Sequence, residues 1–390
     1  MKNIAIVAEY NPIHNGHIHQ INKIKSKFPN SNIIVIMSGN YVQRGEPAIL
    51  DKFGRASLAI KNGCDLVIQL PTIASLQSAD LFAFTAINIL NKMKLVDYIS
   101  FGVESDTIDY FNYMVNFQLK NEKLIYELQK KHINNGDSYK TAYEKSIREI
   151  NPNIYETISK PNNTLAIQYI KAIKKLNSNI KYFPIIRNDG GYNSDTLDDF
   201  EFQSASTIRN LINKKIDFTK YAPEDIKKLI PKNIKDLNDY TSIFKYVVNI
   251  LRKKPENIAG FETGILNLLS NNLNSSIKDT IQKSHNKRHT KSRLQRFVLN
   301  YLLDINNELV ENMIDLSYIH ALKFNDKGAK LLKEIKDIEE LQVLTNFKDS
   351  YSLNKIDKSI FDIEIKANEL YYINDKDEKE SFYKNIPFIN

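Results

Sequence analysis

The sequence predicts an α/β fold: a doubly wound, Rossmann-like parallel sheet in the first half, followed by a mostly α-helical second half. Three observations predict it. Apolar runs alternate four times with helical segments over short connections, the pattern of successive βα units. One run, residues 32–37 (NIIVIM), is almost uninterrupted, as a strand buried on both faces requires. After about residue 225 no clear strand pattern remains. The boundaries that follow are a first domain over 1–224, with a polar helical insertion at about 106–150, and a helical domain over 225–390.

In chain order, residues 3–8 (NIAIVA) predict the first strand. A turn containing His14 leads to a helix that starts near Asn15 and runs through His17, Ile21, Ile24 and Phe28. The second strand, 32–37, ends in the turn Ser38-Gly39-Asn40 and a long polar loop reaching Pro47. Asp51 is suited to cap a helix that stops at Asn62 and Gly63. Residues 65–70 predict a third strand ended by Pro71, 78–92 a helix, and 96–101 a fourth strand with Gly102 just past its end. A helix over 165–176, a strand over 180–186 ending at Arg187, and a helix opened by Ser204 or Ser206 complete the first domain. The second half predicts helices at 241–251, 262–272, 291–304, 309–313 and 326–337, and a peripheral helix plus tail over the last forty residues.

Composition narrows the class. The chain has 390 residues, 54 Lys and Arg against 46 Asp and Glu, and a net charge of +8. This permits a nucleic-acid partner without demonstrating one. No window of about 18 apolar residues exists, and Met1 and Lys2 run straight into a strand, so no membrane segment or secretion signal is expected and the cytoplasm is the expected compartment. Cys64 is the sole cysteine, which excludes an internal disulfide and a cysteine-based zinc site. Its expected role is a small buried hydrophobe.

The sharpest motif is His14-Asn15-Gly16-His17, between a strand and a helix start. Helix-terminal amides and the positive end of the helix dipole favour an anion there, and two imidazoles favour a polyphosphate. Attack at an α-phosphate builds charge that such donors can hold, and Gly16 permits close backbone approach. The spacing of His14, His17 and His19 does not stack two ligands on one helical face, so a metal site is disfavoured. Ser204-Ala205-Ser206-Thr207-Ile208-Arg209 is a second helix opening with hydroxyls and a cation; alone it reads equally well as an ordinary cap. Arg44, in the long loop, is of the type that pairs with carboxylate or phosphate. Residues 282–296 hold six Lys and Arg and two His, and lead from Thr290 into a helix with Leu294, Phe297, Val298 and Tyr301 on its apolar face. Such a run suits a phosphate backbone or, more plainly, a solvated face.

HNGH at 14–17 together with SASTIR at 204–209 resembles the paired motifs of the HxGH nucleotidyltransferase superfamily. EYNPIHNGH, MSGNYVQRGEPAILDKFGRASLA, GCDLVIQLP, SFGVESD, PNNTLAIQYIKAI and YIHALKFNDKG together resemble the bacterial tRNA(Met) cytidine acetate ligase family over nearly the whole chain. The resemblance implies an enzyme that uses ATP, with Mg²⁺, to convert acetate to acetyl-adenylate. The acetyl group then passes to N4 of the wobble cytidine of elongator tRNA(Met), with AMP and pyrophosphate as products. It implies His14 and His17 as catalytic residues. Carried over, the ATP contacts fall on Val7, Ala8, Glu9, Tyr10, Asn11, Pro12, Ile13, His14, Asn15, Gly16, His17, Ile18, His19, Gln20, Gly102, Asn162 and Arg187, joined by Ser206 and Arg209 from the second motif. The tRNA is expected on the helical half, at Lys287, Arg288, Lys291, Arg293 and Arg296. No stable protein partner and no resident metal are inferred. This chain departs from the family pattern with Phe53 for Trp, Gln69 for Glu, and Ala166 for Gly. The alternatives are an adenylyltransferase or adenylate-forming ligase acting on a small metabolite, and a non-catalytic nucleotide-sensing RNA-binding protein.

Overall fold

The computed structural model describes residues 1–104, 108–154, 161–186, 202–231, 233–273 and 275–375; for Lys140, Pro161 and Asn162 it describes only the backbone. The alternating apolar runs become β1 (Asn3–Ala8), β2 (Asn32–Ser38), β5 (Leu66–Leu70), β6 (Tyr98–Val103) and β7 (Lys181–Ile186). Their pairings β1–β2, β1–β6, β2–β5 and β6–β7 are all parallel. Every residue of β2 and β5 is buried, as their mostly apolar sequences require, Gln69 being the polar exception inside β5. Each fully buried Ile or Val stabilises the sheet by about 1.5–3 kcal/mol relative to exposure.

Helices follow the strands at short range. They are α1 (Asn15–Lys27), α2 (Lys52–Lys61), α3 (Thr72–Ser75) and α4 (Ala79–Lys92). Asp51 caps α2 by accepting from the Gly54 N–H, and Gly63, at φ +102°, ends the turn after it. The insertion forms α5 (Ile108–Lys120), α6 (Glu122–Asn134) and α7 (Tyr139–Ile150). Then come α8 (Pro161–Lys175) and α9 (Ala205–Asn213). Helix α8 starts four residues before the predicted 165, with Pro161 in the first turn, where its missing N–H costs nothing. Gly102 lies inside β6, one residue before its last, rather than past its end.

The second half is mostly helical, but it is not without strands. Residues Tyr318–Phe324 form β8, antiparallel to β5, and Gln342–Leu344 form β9, parallel to β8. The sheet therefore has seven strands in the order β7-β6-β1-β2-β5-β8-β9. The two late strands cover the edge that β5 would otherwise expose. Two further expectations are corrected. The loop at 38–47 folds into a small hairpin, β3 (Tyr41–Val42) with β4 (Glu46–Pro47), and Asn40, Tyr41 and Val42 are buried. The helix Lys355–Tyr371 is not peripheral: Ile360, Phe361, Ile363, Ala367 and Leu370 are buried in the core, and the Tyr371 hydroxyl donates to the Ala48 carbonyl beside the hairpin. Its seventeen residues pack polar groups as well as apolar ones, which disguises its inner face.

Candidate functional site

From the centre of the sheet the chain winds outward twice, β1 to β2 to β5 on one side and β6 to β7 on the other. The crevice between the carboxyl ends of β1 and β6 is therefore a topological switch point, where open α/β sheets bind ligands. A cavity of about 490 Å³ opens there. Val7, Ala8, Glu9, Tyr10 and Asn11 line it from β1 and the turn beyond, and Phe101, Gly102 and Glu104 from β6. That volume is ordinary for a small-molecule site.

His14 is the N-cap of α1. Its Nδ1 accepts from the Gly16 N–H at 3.1 Å, and Nδ1 of His17 accepts from the His14 N–H at 3.2 Å. With both Nδ1 atoms acting as acceptors, a neutral imidazole at either position carries its proton on Nε2. The two rings stand 3.8 Å apart between centroids, and Tyr10 holds His17 edge-on at 4.8 Å. Both histidines line the cavity. The sequence HNGH thus yields two adjacent imidazole donors at the positive end of a helix.

The second motif arrives from the far end of the domain. Ser204 caps α9 by accepting from the Thr207 N–H at 3.1 Å, and Ser204, Ala205, Ser206 and Arg209 line the same cavity. Arg209 Nη1 donates to the Asn11 carbonyl at 2.8 Å, tying α9 to the turn after β1. Two helix N-termini and Arg209 therefore converge on one crevice, with Arg44 on its wall. Phe101, Leu165 and Tyr169 give the cavity an apolar side. The arrangement suits a ligand with an aromatic base at one end and a polyphosphate at the other.

Under the site lies Arg55, a fully buried arginine. It donates to the carbonyls of Glu9, Ser38, Gly39 and Leu50, fixing the loops after β1 and β2. Burial lowers its guanidinium pKa, countered by Tyr371, Asp51 and Glu9. Glu9 also accepts the Gln43 N–H at 2.7 Å, which pins the hairpin to the cavity rim. Burial raises the Glu9 carboxyl above its ordinary range, opposed by the Gln43 hydrogen bond and by Arg209, Arg44 and Arg55.

Of the residues expected around the nucleotide, Val7, Ala8, Glu9, Tyr10, Asn11, His14, His17, Gln20, Gly102, Ser206 and Arg209 line the cavity. Pro12, Ile13, Asn15, Gly16, Ile18 and His19 do not. Ile13 is in the core, Asn15 Nδ2 donates to the Lys220 carbonyl, and His19 packs on Phe202. Gly16 supports the site indirectly, through its N–H to His14. Arg187 lies outside the described residues, as does the side chain of Asn162. Phe82, Phe101, Leu165 and Tyr169 escaped the sequence reading, because an aromatic on an amphipathic segment looks like core until the sheet order is known.

The basic run leads into a helix that contacts the hairpin at the cavity rim. Lys287, Arg288 and Lys291 are exposed. Arg288 and Arg293 both pair with Glu262, Arg293 at 2.7 Å. Arg296 is only partly exposed: its Nη1 donates to the Gln43 carbonyl at 3.2 Å, and burial pulls its pKa down to about 10. Beside it, Gln295 donates to Glu46 at 2.8 Å. Gly45 lies against this helix with φ +79°, and a Cβ there would come within 2.5 Å of the Arg296 nitrogen. The helix Lys291–Leu303 is thereby locked to the hairpin whose Gln43 and Arg44 line the cavity.

Gln69, a departure from the expected Glu, has a place in this architecture. Its Oε1 accepts from Lys52 Nζ at 2.9 Å and its amide donates to Glu364 of the helix Lys355–Tyr371. Glu364 also accepts from the Thr72 N–H at 2.5 Å and from its hydroxyl at 2.9 Å. The carboxylate at this strand end is supplied from the other half of the chain. Cys64 is buried, as expected, and burial pushes its thiol up to about 12. Among the described residues no helix is long and apolar enough to cross a membrane.

Comparisons agree with this geometry. The profile of the HIGH Nucleotidyl Transferase family matches residues 1–385. A tRNA(Met) cytidine acetate ligase of Caldanaerobacter subterraneus subsp. tengcongensis is 33% identical over 383 residues, covering 95% of each chain. One from Clostridium botulinum is 34% identical over 390 residues, covering 94% of this chain and 93% of its own. Among solved structures, Thermotoga maritima TmcAL bound with alpha-thio ATP superposes with a TM-score of 0.87 at 26% identity, over the full length of both chains.

Proposed function

Because the chain belongs to the tRNA(Met) cytidine acetate ligase family, within the HIGH nucleotidyl transferases, we propose that it is an ATP-dependent ligase. It activates acetate as acetyl-adenylate and acetylates N4 of the wobble cytidine of elongator tRNA(Met). The observation that carries this reading is the convergence of His14, His17, Ser206 and Arg209 on one cavity at the switch point between β1 and β6.

ATP enters with its base toward Phe101, Leu165 and Tyr169 and its phosphates toward the two helix N-termini. Acetate attacks the α-phosphorus and pyrophosphate departs. The imidazole N–H groups of His14 and His17, with the guanidinium of Arg209, hold the charge that develops on the phosphate oxygens. Arg55 and the Gln43 hydrogen bond keep the cavity walls in place, so donors need not reorganise as charge moves. Mg²⁺ would accompany ATP on its phosphates; among the described residues no group of three or more His, Cys, Asp or Glu side chains is assembled to hold a metal.

The mixed anhydride is unstable in water, so transfer is best served by an acceptor that covers the site. Lys287, Arg288 and Lys291 are exposed beside a helix fastened to the cavity rim, and this supports docking of a tRNA backbone there. An unstacked anticodon base presents N4 on its Watson–Crick edge.

The test is direct. Protein incubated with ATP, labelled acetate and total tRNA yields labelled N4-acetylcytidine after nuclease digestion. Absence of that nucleoside, with pyrophosphate released on addition of another acid, would instead assign the site to a small metabolite.

A further inference from the structure

A carboxylate in a cavity built for polyphosphate needs an explanation. Glu9 lines the cavity beside His14, His17 and Arg209, and its negative charge opposes those of the phosphates. Its expected place among the ATP contacts does not by itself explain an acidic side chain there. Yet it is held twice: its carbonyl accepts from Arg55 Nη1 at 2.6 Å, and its Oε1 accepts from the Gln43 N–H at 2.7 Å. Among the described residues, the other carboxylate oxygen is left for a ligand. Burial raises the Glu9 carboxyl, Arg209, Arg44 and Arg55 oppose that rise, and Tyr169 of α8 interacts with it electrostatically.

The second half-reaction supplies the missing need. We propose that Glu9 accepts a hydrogen bond from the exocyclic amine of the acceptor cytidine and takes its proton as the amine is acetylated. This rests on the ligase reading above. The N4 lone pair attacks the carbonyl carbon of acetyl-adenylate and a C–N bond forms. The bond from that carbon to the AMP oxygen breaks, its electron pair leaving on the phosphate. One N4 proton passes to Glu9 and then to solvent. The ring delocalises the N4 lone pair, so the amine is a poor base, and once it has attacked it becomes acidic enough for a carboxylate to deprotonate. The histidines are less suited to this: each Nδ1 accepts a backbone N–H, and the ligase reading assigns their remaining N–H groups to the phosphates. The arginines are always charged.

The same interaction sets specificity. A carboxylate accepts from the amine of cytosine, whereas the carbonyl at that position in uracil would meet it acceptor to acceptor. The other carboxylate on the cavity wall, Glu104, follows β6 with its N–H bonded to Asn163 Oδ1 at 3.0 Å, and provides the comparison.

Single-turnover transfer from preformed acetyl-adenylate to tRNA, followed against pH, tests the assignment beside acetate-dependent ATP–pyrophosphate exchange. In the wild type, transfer rises with pH through a single ionisation placed above the ordinary carboxyl range. Glu9→Gln, which keeps the acceptor for Gln43, slows transfer about a hundredfold, loses that ionisation, and slows exchange far less. Glu9→Asp keeps the ionisation. Glu9→Gln transferring at the wild-type rate, equal losses in transfer and exchange, or a selective loss in Glu104→Gln rather than Glu9→Gln would each overturn it. A wild-type enzyme that exchanges pyrophosphate yet acetylates no tRNA would overturn the ligase reading instead.

Discussion

The proposed roles of His17 and His14 rest on hydrogen bonds that a four-residue motif encodes almost unaided. An N-cap histidine whose ring accepts from the second helical residue, and a third helical residue whose ring accepts from the cap, form a reciprocal box. The box fixes both rings and the nitrogen on which each carries its proton. In the proposed mechanism, removing one ring removes one donor to the transition state without opening the core, since His17 is only partly buried. His17→Ala is therefore expected to lower acetate-dependent ATP–pyrophosphate exchange by about 10²–10³-fold in kcat. An unchanged exchange rate would remove His17 from the chemistry. At this scale the sequence was informative where a motif is contiguous. It was silent on Arg55, whose four carbonyl partners come from three separate turns. It did not reveal that Arg296 reaches back to the Gln43 carbonyl of the hairpin.

Elements joined across the sequence explain the polar groups that local reading cannot place. Lys52 at the start of α2, Gln69 on β5 and Glu364 on the helix Lys355–Tyr371 form a buried chain of hydrogen bonds. Burial draws the Lys52 ammonium down to about 8, resisted by Glu364 and Asp51. Burial also raises the Glu364 carboxyl, resisted first by Lys52. Each charge makes the other tolerable, and removal of one leaves the other uncompensated. Lys52→Met and Glu364→Gln are each expected to lower stability by about 3–5 kcal/mol. The double variant should lose less than the sum by about 1–3 kcal/mol. Urea unfolding of the four proteins measures this coupling, and strict additivity would show that the hydrogen-bonded chain is not energetically connected.

Taken whole, the molecule uses its second half both to close the sheet and to extend the site. Strands β8 and β9 continue the sheet beyond β5, and the helix Lys291–Leu303 grips the hairpin at the cavity rim. An RNA bound on the exposed lysines would thus be held by the same body that holds the nucleotide. Lys287→Ala with Lys291→Ala is expected to weaken tRNA binding and to reduce the slope of log affinity against log salt by about 1 for each phosphate no longer neutralised. Exchange of pyrophosphate into ATP should persist, because neither residue lines the cavity. An unaltered salt slope would return these lysines to the role of solvated surface.

By itself the sequence determined the five parallel strands, the caps of α2 and α9, and the two helix-opening motifs that meet at the cavity. Each depends on spacing within one or two turns of chain: Asp51 capping α2, Ser204 capping α9, His14 and His17 flanking a glycine at the start of α1. Only the tertiary structure decided what lies between them. Strand order put Phe101 and Tyr169 on the same cavity as Glu9, although both are remote from it in the chain. It also turned residues 318–324, which carry His320 and Lys323 among apolar neighbours, into a strand against β5. Pairing with a distant partner and the burial it brings are not periodic features of a segment, so periodicity could not reveal them. The two motifs proposed to hold the phosphates were legible because each is built from local geometry, and the cavity walls were not because they are built where remote parts of the chain meet.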